Sequence, residues 1–350
     1  MVTVLAAAAA LVLLGRVTGL PWRGIGALLA LLWAGVTLAH LTLPAGHPVL
    51  AATGGDWRGW LALGVVATLV IGYRAGVGAL RQRAVRQAEP PAPAPAAGFS
   101  AAELDRYARH IVLREVGGPG QMKLKSARVL VVGAGGLGSP SLLYLAAAGT
   151  GTIGVIDDDT VSNSNLQRQV IHADERIGMP KVFSAQAAIA ALNPHVTVRP
   201  YNRRLTAGDA AALFADYDLV LDGSDNFATR YMVNAAAVAA GRPLISAAIT
   251  QWEGQISLYD PAGGAPCYAC IFPDPPAEGL APSCAEAGVM GALPGVVGAM
   301  MAVEAIKEIT GAGQSLRGRM MIYDALWGES RQITLRRRAD CPVCGHVAPG

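Results

Sequence analysis

The sequence predicts an α/β protein with a Rossmann-like doubly wound sheet, a four-cysteine zinc site and N-terminal transmembrane helices. Three observations predict it. A glycine-rich loop joins an apolar strand to a helix within residues 128–148, two Cys-x-x-Cys pairs lie in the second half of the chain, and residues 1–80 contain a single carboxylate, Asp56. We therefore expect a membrane anchor over residues 1–87, a Pro/Ala linker over 88–98 and a globular domain over 99–350.

The N-terminal segment carries three apolar runs, at residues 2–14, 25–43 and 60–80. The second run has the ~20 residues that a ~30 Å hydrocarbon core requires, and the others bring the expected spans to two or three. Arginines follow the first and third runs: Arg16, Arg23, Arg81, Arg83 and Arg86. By the positive-inside rule, we expect a multi-pass protein of the inner cell membrane, anchored in its lipid, whose globular domain is cytoplasmic. The same runs are also compatible with a buried helical bundle.

The charge balance argues against nucleic acid as a partner. The formal net charge is +3 over 350 residues, and the sequence has no dense stripe of Lys and Arg with interleaved aromatic residues. The high apolar fraction of 52% and the mean hydropathy of +0.37 reflect the first 80 residues. From residue 99 onward the composition is that of an ordinary α/β domain.

The globular domain is predicted to open with a helix over residues 100–113. Ser100 is its expected N-cap, and Glu103, three residues later, completes a capping box. Arg106 and Arg109 follow on the same helix. We expect a structural ion pair from Arg106.

The next elements form a strand, a glycine loop and a helix. The apolar run 128–132 leads into Gly133-Ala134-Gly135-Gly136-Leu137-Gly138 and then a helix to residue 148. Such glycines let the backbone approach phosphates at a helix N-terminus. A second strand, 152–156, ends at Asp157, about where a ribose-binding carboxylate belongs, ~20 residues past the glycines. The pattern to this point fits NAD, FAD or ATP equally.

Three later motifs favour ATP. Ser164-Asn165-Leu166-Gln167-Arg168-Gln169 follows the second strand, Gly178-Met179-Pro180-Lys181 opens a helix, and a strand at 218–221 runs into Asp222-Gly223-Ser224-Asp225-Asn226. Arg168 and Lys181 can neutralise triphosphate and the leaving pyrophosphate, and Asp225 can hold Mg²⁺ through oxygen. Asp222 either caps its strand or touches the nucleotide. An NAD dehydrogenase does not need two cations and an acid that converge on one point of the nucleotide.

Four of the five cysteines form two pairs suited to one tetrahedral Zn²⁺ ion. They are Cys267, Cys270, Cys341 and Cys344. Two disulfides are the alternative arrangement. The fifth cysteine, Cys284, stands alone in a Pro/Gly-rich stretch and is a candidate nucleophile towards an activated carboxylate; a spare thiol is the alternative.

In order along residues 99–344, the motifs RYARH, VVGAGGLG, SNLQRQ, GMPK, DGSDN, EGQ, CYAC, SCAEAGVM and CPVC resemble the MoeB/ThiF family of ubiquitin-activating-like adenylyltransferases. The resemblance implies a ThiF/MoeB-type fold and a homodimer that binds ATP with Mg²⁺. It also implies adenylation of the C-terminal glycine of a small ubiquitin-like sulfur carrier (MoaD/ThiS-like, ending in Gly-Gly). Pyrophosphate would be released, and the carrier would serve sulfur transfer in molybdopterin or thiamine-type biosynthesis.

The resemblance also assigns residues by position. The predicted nucleotide-binding set is Gly133, Gly135, Gly136, Gly138, Asp157, Ser164, Asn165, Leu166, Gln167, Arg168, Lys181, Asp225 and Asn226. Arg109 is similar to an arginine that reaches the nucleotide phosphates of the partner subunit. The paired cysteines resemble structural zinc ligands, and Cys284 resembles the cysteine of the family's crossover loop. With Arg168, Lys181 and Asp225, Arg109 and Cys284 make up the predicted catalytic set.

Three features depart from the family pattern. His110 replaces a glutamine found in members such as MoeB, the N-terminal anchor is not usual, and no sulfurtransferase domain follows Cys344. The sulfur donor is therefore expected to be a separate sulfurtransferase. The alternatives are activation of another ubiquitin-like modifier or a peptide at the membrane, a dinucleotide-dependent oxidoreductase, and a non-catalytic module that recruits a ubiquitin-like protein.

Overall fold

The computed structural model describes residues 2–44, 46–87, 98–275 and 287–348. The chain divides into two compact units, Met1–Ala92 and Pro93–Gly350. The predicted linker falls almost wholly outside the described residues, as does Cys284.

The N-terminal unit is helical. Its helices are α1 (Val2–Val17), α2 (Trp22–Thr42), α3 (Pro48–Thr53) and α4 (Trp57–Gln87). Glycine lets α2 and α4 approach closely, because a Cβ on Gly64 would overlap the indole of Trp33. The Trp33 Nε1–H also donates to the carbonyl of Trp60 at 2.7 Å. Small residues and interhelical hydrogen bonds of this kind hold helices together in an apolar surrounding.

One helix among the described residues, Gly24–Thr42, is long and apolar enough to cross a membrane. Its mean hydropathy is 1.8, and 17% of it is buried within the structure. Two further apolar helical stretches among the described residues, Thr3–Val17 and Trp57–Val70, are shorter than a span requires. The described residues thus hold one candidate span of full length where the sequence predicted two or three.

The second unit contains an eight-stranded mixed sheet with strand order β3-β2-β1-β4-β5-β6-β7-β8. The strands are β1 (Arg128–Val132), β2 (Thr152–Ile156), β3 (Thr197–Tyr201), β4 (Leu219–Asp222), β5 (Leu244–Ile249), β6 (Glu253–Tyr259), β7 (Arg319–Asp324) and β8 (Glu329–Thr334). Strands β1 to β5 are parallel, and β6 to β8 add an antiparallel extension. The α/β class is confirmed, whereas the antiparallel extension was not predicted.

Helices cover both faces of the sheet. They are α5 (Ala101–Ile111), α6 (Gly117–Ser126), α7 (Gly138–Ala148), α8 (Lys181–Leu192), α9 (Ala207–Ala215), α10 (Phe227–Ala240), α11 (Tyr268–Ile271) and α12 (Leu293–Thr310). Within β1, Val129 and Val131 enter the core with α7, α8 and α12, while Leu130 and Val132 enter the core with α9 and α10. A parallel strand between two helical layers is apolar on both faces, which explains the continuous run RVLVV.

Helix α5, the first of the second unit, confirms one local prediction and corrects another. The Ser100 hydroxyl accepts from the Glu103 amide, and the Glu103 carboxylate accepts from the Ser100 amide, so the capping box is present. Arg106 does not form the predicted ion pair with any residue that the structure describes. Its Nη1 donates instead to the carbonyl of Leu192 at the end of α8, at 2.7 Å.

Candidate nucleotide-binding site

The site lies where β1, β2 and β4 end side by side. Strand β1 runs parallel between β2 and β4. The chain leaves β1 towards β2 and β3, and then returns to β4 on the other side of β1. Ligands of open α/β sheets bind at such a switch point, outside the carboxyl ends of the strands. The loops after these three strands are therefore brought together by topology.

Glycine is required at two positions of the loop between β1 and α7. Gly133 has φ +91°, in the left-handed region that favours glycine, and a Cβ there would lie 3.3 Å from the carbonyl oxygen of Gly223 after β4. A Cβ on Gly138 would overlap the carbonyl oxygen of Gly133. The loop turns tightly enough for α7 to begin directly at Gly138, which places the N-terminus of this helix directly after the glycine loop.

Asp157, at the end of β2, is tied to the glycine loop. Its Oδ2 accepts from the amide of Ala134 at 2.8 Å, and its Oδ1 accepts from the amide of Asp159 at 2.8 Å. A carboxylate can accept about four hydrogen bonds, so two positions remain for the hydroxyls of a ribose. The side chain is half-buried, which leaves it accessible to a ligand.

The predicted cations lie at this edge. Arg168 donates from Nη2 to Asn165 Oδ1 at 3.0 Å and from Nη1 to the Ser164 carbonyl at 3.3 Å. Its stem runs beside the glycine loop, since a Cβ on Gly136 would lie 3.7 Å from Arg168 Cδ. Lys181 begins α8 and is buried, and its Nζ is 2.8 Å from Asp159 Oδ2.

The loop after β4 carries two acids in different environments, one held in hydrogen bonds and one accessible to a ligand. Asp222 is buried and accepts from the Ser224 amide at 2.9 Å and the Ser246 hydroxyl at 3.0 Å, so it holds the strand end. Asp225 is exposed and makes no hydrogen bond or ion pair with another described residue. Asn226 is the N-cap of α10 and accepts from the Thr229 amide at 2.9 Å. Of the acids in this loop, Asp225 is the one free to take a cation.

The remaining predicted residues are those of the SNLQRQ segment, which lies beside the glycine loop, and Arg109 on α5. The side chain of Gln167 packs against Gly291, where a Cβ would overlap its Oε1, and this fixes the SNLQRQ segment against the turn before α12. The Ser164 hydroxyl pairs with that of Ser162 at 3.1 Å. Leu166 follows the 3-10 turn Asn163–Asn165. Arg109 is exposed on α5 and has no hydrogen bond or ion pair to another described residue.

The four paired cysteines meet in one buried cluster. The Sγ atoms of Cys267 and Cys341 are 3.6 Å apart and those of Cys270 and Cys344 are 3.4 Å apart, and all four Sγ atoms lie within 4.8 Å of one another. Tetrahedral zinc with Zn–S bonds of about 2.3 Å places sulfurs about 3.8 Å apart. The four thiols are free, so the donor set and its spacing fit zinc and not two disulfides.

The pKa is shifted in different directions for different thiols of the cysteine cluster. Burial raises the pKa of Cys267, and the neighbouring Cys270 raises it further. Burial also opposes ionisation of Cys341, but hydrogen bonds from the backbone amides of Cys344 and Val343 lower its pKa to about 7. Zinc ligands must be thiolates, and these amides stabilise one of them.

Comparison with known proteins identifies the family. The model of the ThiF family matches residues 107–343, which include the glycine loop, both predicted cations, Asp225 and three of the four clustered cysteines. The chain belongs to the ThiF family.

The chain is similar to several named proteins over about 70% of its length. The chain is 52% identical over 247 residues to a sulfur carrier protein adenylyltransferase of Thermus thermophilus, a match of 69% of this chain and 91% of that protein. It is 50% identical over 256 residues to a probable adenylyltransferase/sulfurtransferase MoeZ of Mycobacterium tuberculosis, a match of 72% of this chain and 65% of that protein. The crystal structure of E. coli MccB with ATP superposes with a TM-score of 0.59 at 25% identity, over 69% of this chain and 74% of that one.

Three residues at this site were missed from the sequence. Asp159 pairs with Lys181, and the acidic run Asp157-Asp158-Asp159 was the available signal. His172 donates to the glycine loop at the Ala134 carbonyl. The buried Arg230 donates to the carbonyl of Ser224, the residue before Asp225, at 2.6 Å. Neither of the last two has a sequence signal apart from its place after a recognised motif.

Proposed function

We propose that this chain is an ATP-dependent adenylyltransferase that activates the C-terminal glycine of a small ubiquitin-like sulfur carrier. The observation that carries the proposal is the position of Arg168. Its stem lies beside Gly136 in the glycine loop, while the ribose candidate Asp157 is hydrogen-bonded to the same loop. A dinucleotide oxidoreductase needs the loop and the acid but no arginine over the phosphates. The relationship to a sulfur carrier protein adenylyltransferase at 52% identity supports the substrate class.

The reaction is an in-line displacement. An oxygen of the carrier's terminal carboxylate forms a bond to the α-phosphorus of ATP, and the bond from that phosphorus to the oxygen bridging to the β-phosphate breaks. Pyrophosphate leaves with that electron pair, and the product is an acyl-adenylate. Arg168 and Lys181 stabilise the negative charge that moves onto the leaving group, and the glycine loop holds the nucleotide in position. No covalent bond to this chain is required in this step.

Two metals are implied by the donor atoms. Mg²⁺ held by the free carboxylate of Asp225 would neutralise charge on the triphosphate. Zn²⁺ held by Cys267, Cys270, Cys341 and Cys344 would have a structural role, because it would join α11 and its N-cap to the segment after β8. The exposed Arg109 is proposed to act across a homodimer, at the nucleotide of the partner subunit.

A membrane location is proposed for the N-terminal unit. The span Gly24–Thr42 and the exposed apolar side chains of this unit support it, Leu31 and Leu69 among them at 69% and 67% exposure. We propose that the globular unit faces the cytoplasm, where ATP is available, and that a separate sulfurtransferase supplies the sulfur for molybdopterin or thiamine-type synthesis. A reporter fused after Gly350 should then be active in the cytoplasm; periplasmic activity would overturn the topology.

The activity test uses the full chain in detergent micelles. Carrier-dependent exchange of ³²P from pyrophosphate into ATP is expected with Mg²⁺ and a MoaD- or ThiS-like protein ending in Gly-Gly. A carrier lacking its last glycine is the matched control and should give no exchange. Arg168→Ala should lose roughly 10²-fold, the scale of one electrostatic contact in a transition state. Binding of NADH with no binding of ATP would contradict the proposal.

A further inference from the structure

His172 lies beneath the glycine loop and has two defined hydrogen-bond partners. The side chain is 7% exposed. Its Nε2 is 2.9 Å from the carbonyl oxygen of Ala134, and its Nδ1 is 2.9 Å from the hydroxyl oxygen of Ser184 on α8. A carbonyl only accepts, so Nε2 carries the proton, and in the neutral ring Nδ1 accepts from the Ser184 hydroxyl. The Ala134 carbonyl therefore fixes the tautomer, and the Ser184 hydroxyl, which can donate or accept, donates to Nδ1.

The peptide groups on either side of Ala134 are held from both directions. Its N–H donates to Asp157 Oδ2 at 2.8 Å, and its carbonyl accepts from His172 at 2.9 Å. Ala134 itself is fully buried. The middle of the loop is thus held by two side chains. They are Asp157, the candidate ribose ligand at the end of β2, and the imidazole of His172, which follows the SNLQRQ segment. The nucleotide has no need to order this part of the loop when it binds.

The charges around His172 agree with a neutral ring. Burial lowers its pKa, the hydrogen bond to Ala134 opposes that effect, and the cations Lys181 and Arg176 lower the pKa further. Asp157 is the anion that faces it and acts in the opposite direction. A neutral histidine adds no charge beside the two predicted phosphate-binding cations, so its contribution is geometric.

We propose that His172 is a positioning residue for the nucleotide: through the Ala134 carbonyl it fixes the glycine loop in the conformation that receives the triphosphate. This inference rests on the proposed function, because the loop must bind ATP. His172 touches neither ATP nor carrier. Its removal should therefore weaken nucleotide binding more than it slows the chemical step, since preorganisation lowers the ordering cost of binding.

The test compares His172→Leu with His172→Gln in the full chain in detergent. The measured quantities are the Kd for a non-hydrolysable ATP analogue by calorimetry, and kcat and KM for ATP in pyrophosphate exchange. His172→Leu removes both hydrogen bonds of the imidazole, including the one to the Ala134 carbonyl. It should raise the Kd and KM by about tenfold, with kcat changed less. Glutamine can place an amide donor near the Nε2 position and an acceptor towards Ser184. It should restore the Kd to within about threefold of wild type.

Two further variants keep the test decisive. Ser184→Ala retains the imidazole but removes the hydroxyl that donates to Nδ1 and orients the ring. It should raise the Kd by about threefold even if His172→Leu does not fold. Asn193→Leu removes a fully buried hydrogen-bonded side chain just beyond the other end of α8. It should lower the Tm without changing the Kd of the folded protein.

The outcomes distinguish the inference from the function it rests on. A wild-type chain that binds no ATP would contradict the proposed function. If the wild type binds ATP and His172→Leu binds it within twofold of the wild-type Kd, only the role of His172 is contradicted. Where His172→Leu does not fold, the same criterion applies to Ser184→Ala. Equal impairment of the leucine and glutamine variants would also contradict that role, because the effect would then not come from the hydrogen bond.

Discussion

Lys181 and Asp159 form an ion pair in which the ammonium is buried and the carboxylate is exposed. The Nζ–Oδ2 distance is 2.8 Å, and the side chains are 5% and 66% exposed. The backbone amide of Lys181 also donates to the Asp159 carbonyl at 3.0 Å. The lysine at the start of α8 is thus held by its backbone and its side chain to the segment that follows Asp157. The whole lysine side chain is enclosed by protein, and its ammonium meets the exposed carboxylate of Asp159.

This pairing predicts unequal effects of the two residues on catalysis. Lys181→Ala should reduce pyrophosphate exchange by roughly 10²-fold or more, because it removes a charge that stabilises the leaving group. Asp159→Asn keeps an oxygen that can accept from Nζ, so the loss should stay below about tenfold, whereas Asp159→Ala should lose more. Exchange rates at saturating ATP measure both. An Asp159→Asn variant as inactive as Lys181→Ala would show that Asp159 itself takes part in the reaction.

The exposed position of Arg109 predicts complementation between subunits. If Arg109 acts at the partner's nucleotide, Arg109→Ala and Lys181→Ala homodimers should each be inactive. A mixed dimer assembles one intact site from Lys181 of one chain and Arg109 of the other, so mixing should restore part of the exchange activity. Subunit exchange is verified by two affinity tags on the mixed species. Confirmed mixed dimers without activity would place Arg109 in its own subunit's site or outside any site.

The sequence allowed most of the parallel half of the fold to be predicted. The bounds of β1 and β2 agree residue for residue, and β4 is shifted by a single residue from the predicted 218–221. These strands are short apolar runs ended by glycine or acid, and each strongly buried run has few alternative interpretations. Strand β8 was not predicted because all six of its residues are exposed. An edge strand shows no apolar pattern, and its pairing with β7 is decided by contacts far along the chain.

The candidate site likewise has residues that the sequence predicts and contacts that it does not. Motif residues such as Arg168 and Lys181 were proposed from spacing, and topology brings their segments to one edge of the sheet. The supporting contacts could not be predicted. Hydrogen bonds from His172 to Ala134 and from Arg230 to Ser224 depend on the packing of helices against a loop. Nothing in the local sequence distinguishes these side chains from other buried polar residues.

The cysteine cluster predicts two kinds of cysteine variant. Cys341→Ser should bind less than about one Zn²⁺ per chain and melt at a lower temperature, because structural zinc contributes folding free energy. Cys284→Ser is the matched control and should keep its zinc, its Tm and its pyrophosphate exchange, and lose only a later thioester or persulfide step. Metal analysis and thermal melts on both variants, with intact-mass trapping on Cys284→Ser, provide the measurements. Zinc lost from Cys284→Ser, or retained in Cys341→Ser, would reverse the assignment.

Glu103 predicts a pH-dependent contribution to stability. It joins α5 to α6 through Lys125 at 2.8 Å and completes the capping box with Ser100. Burial alone would raise the pKa of this carboxyl, but the hydrogen bonds from Lys125 and Ser100 outweigh it and lower the pKa to about 2, from an ordinary value of 4.5. A lowered pKa in the folded state means that the ionised form stabilises the fold. The contribution is fully present above pH 4.5 and is lost as the pH falls towards 2.

Glu103→Gln should therefore destabilise the globular unit at pH 7 by about 1–2 kcal/mol, after allowance for solvent screening of the pair. The corresponding fall in Tm is roughly 2–8 °C for a unit of this size. Measured at several pH values, the difference in Tm from wild type should be constant between pH 7 and 5 and should shrink below pH 4.5. Glu329→Gln, on the exposed strand β8, is the control and should follow wild type throughout. A Glu103→Gln difference that stays the same down to pH 3 would mean that the side chain stabilises the helix by packing and not by its charge.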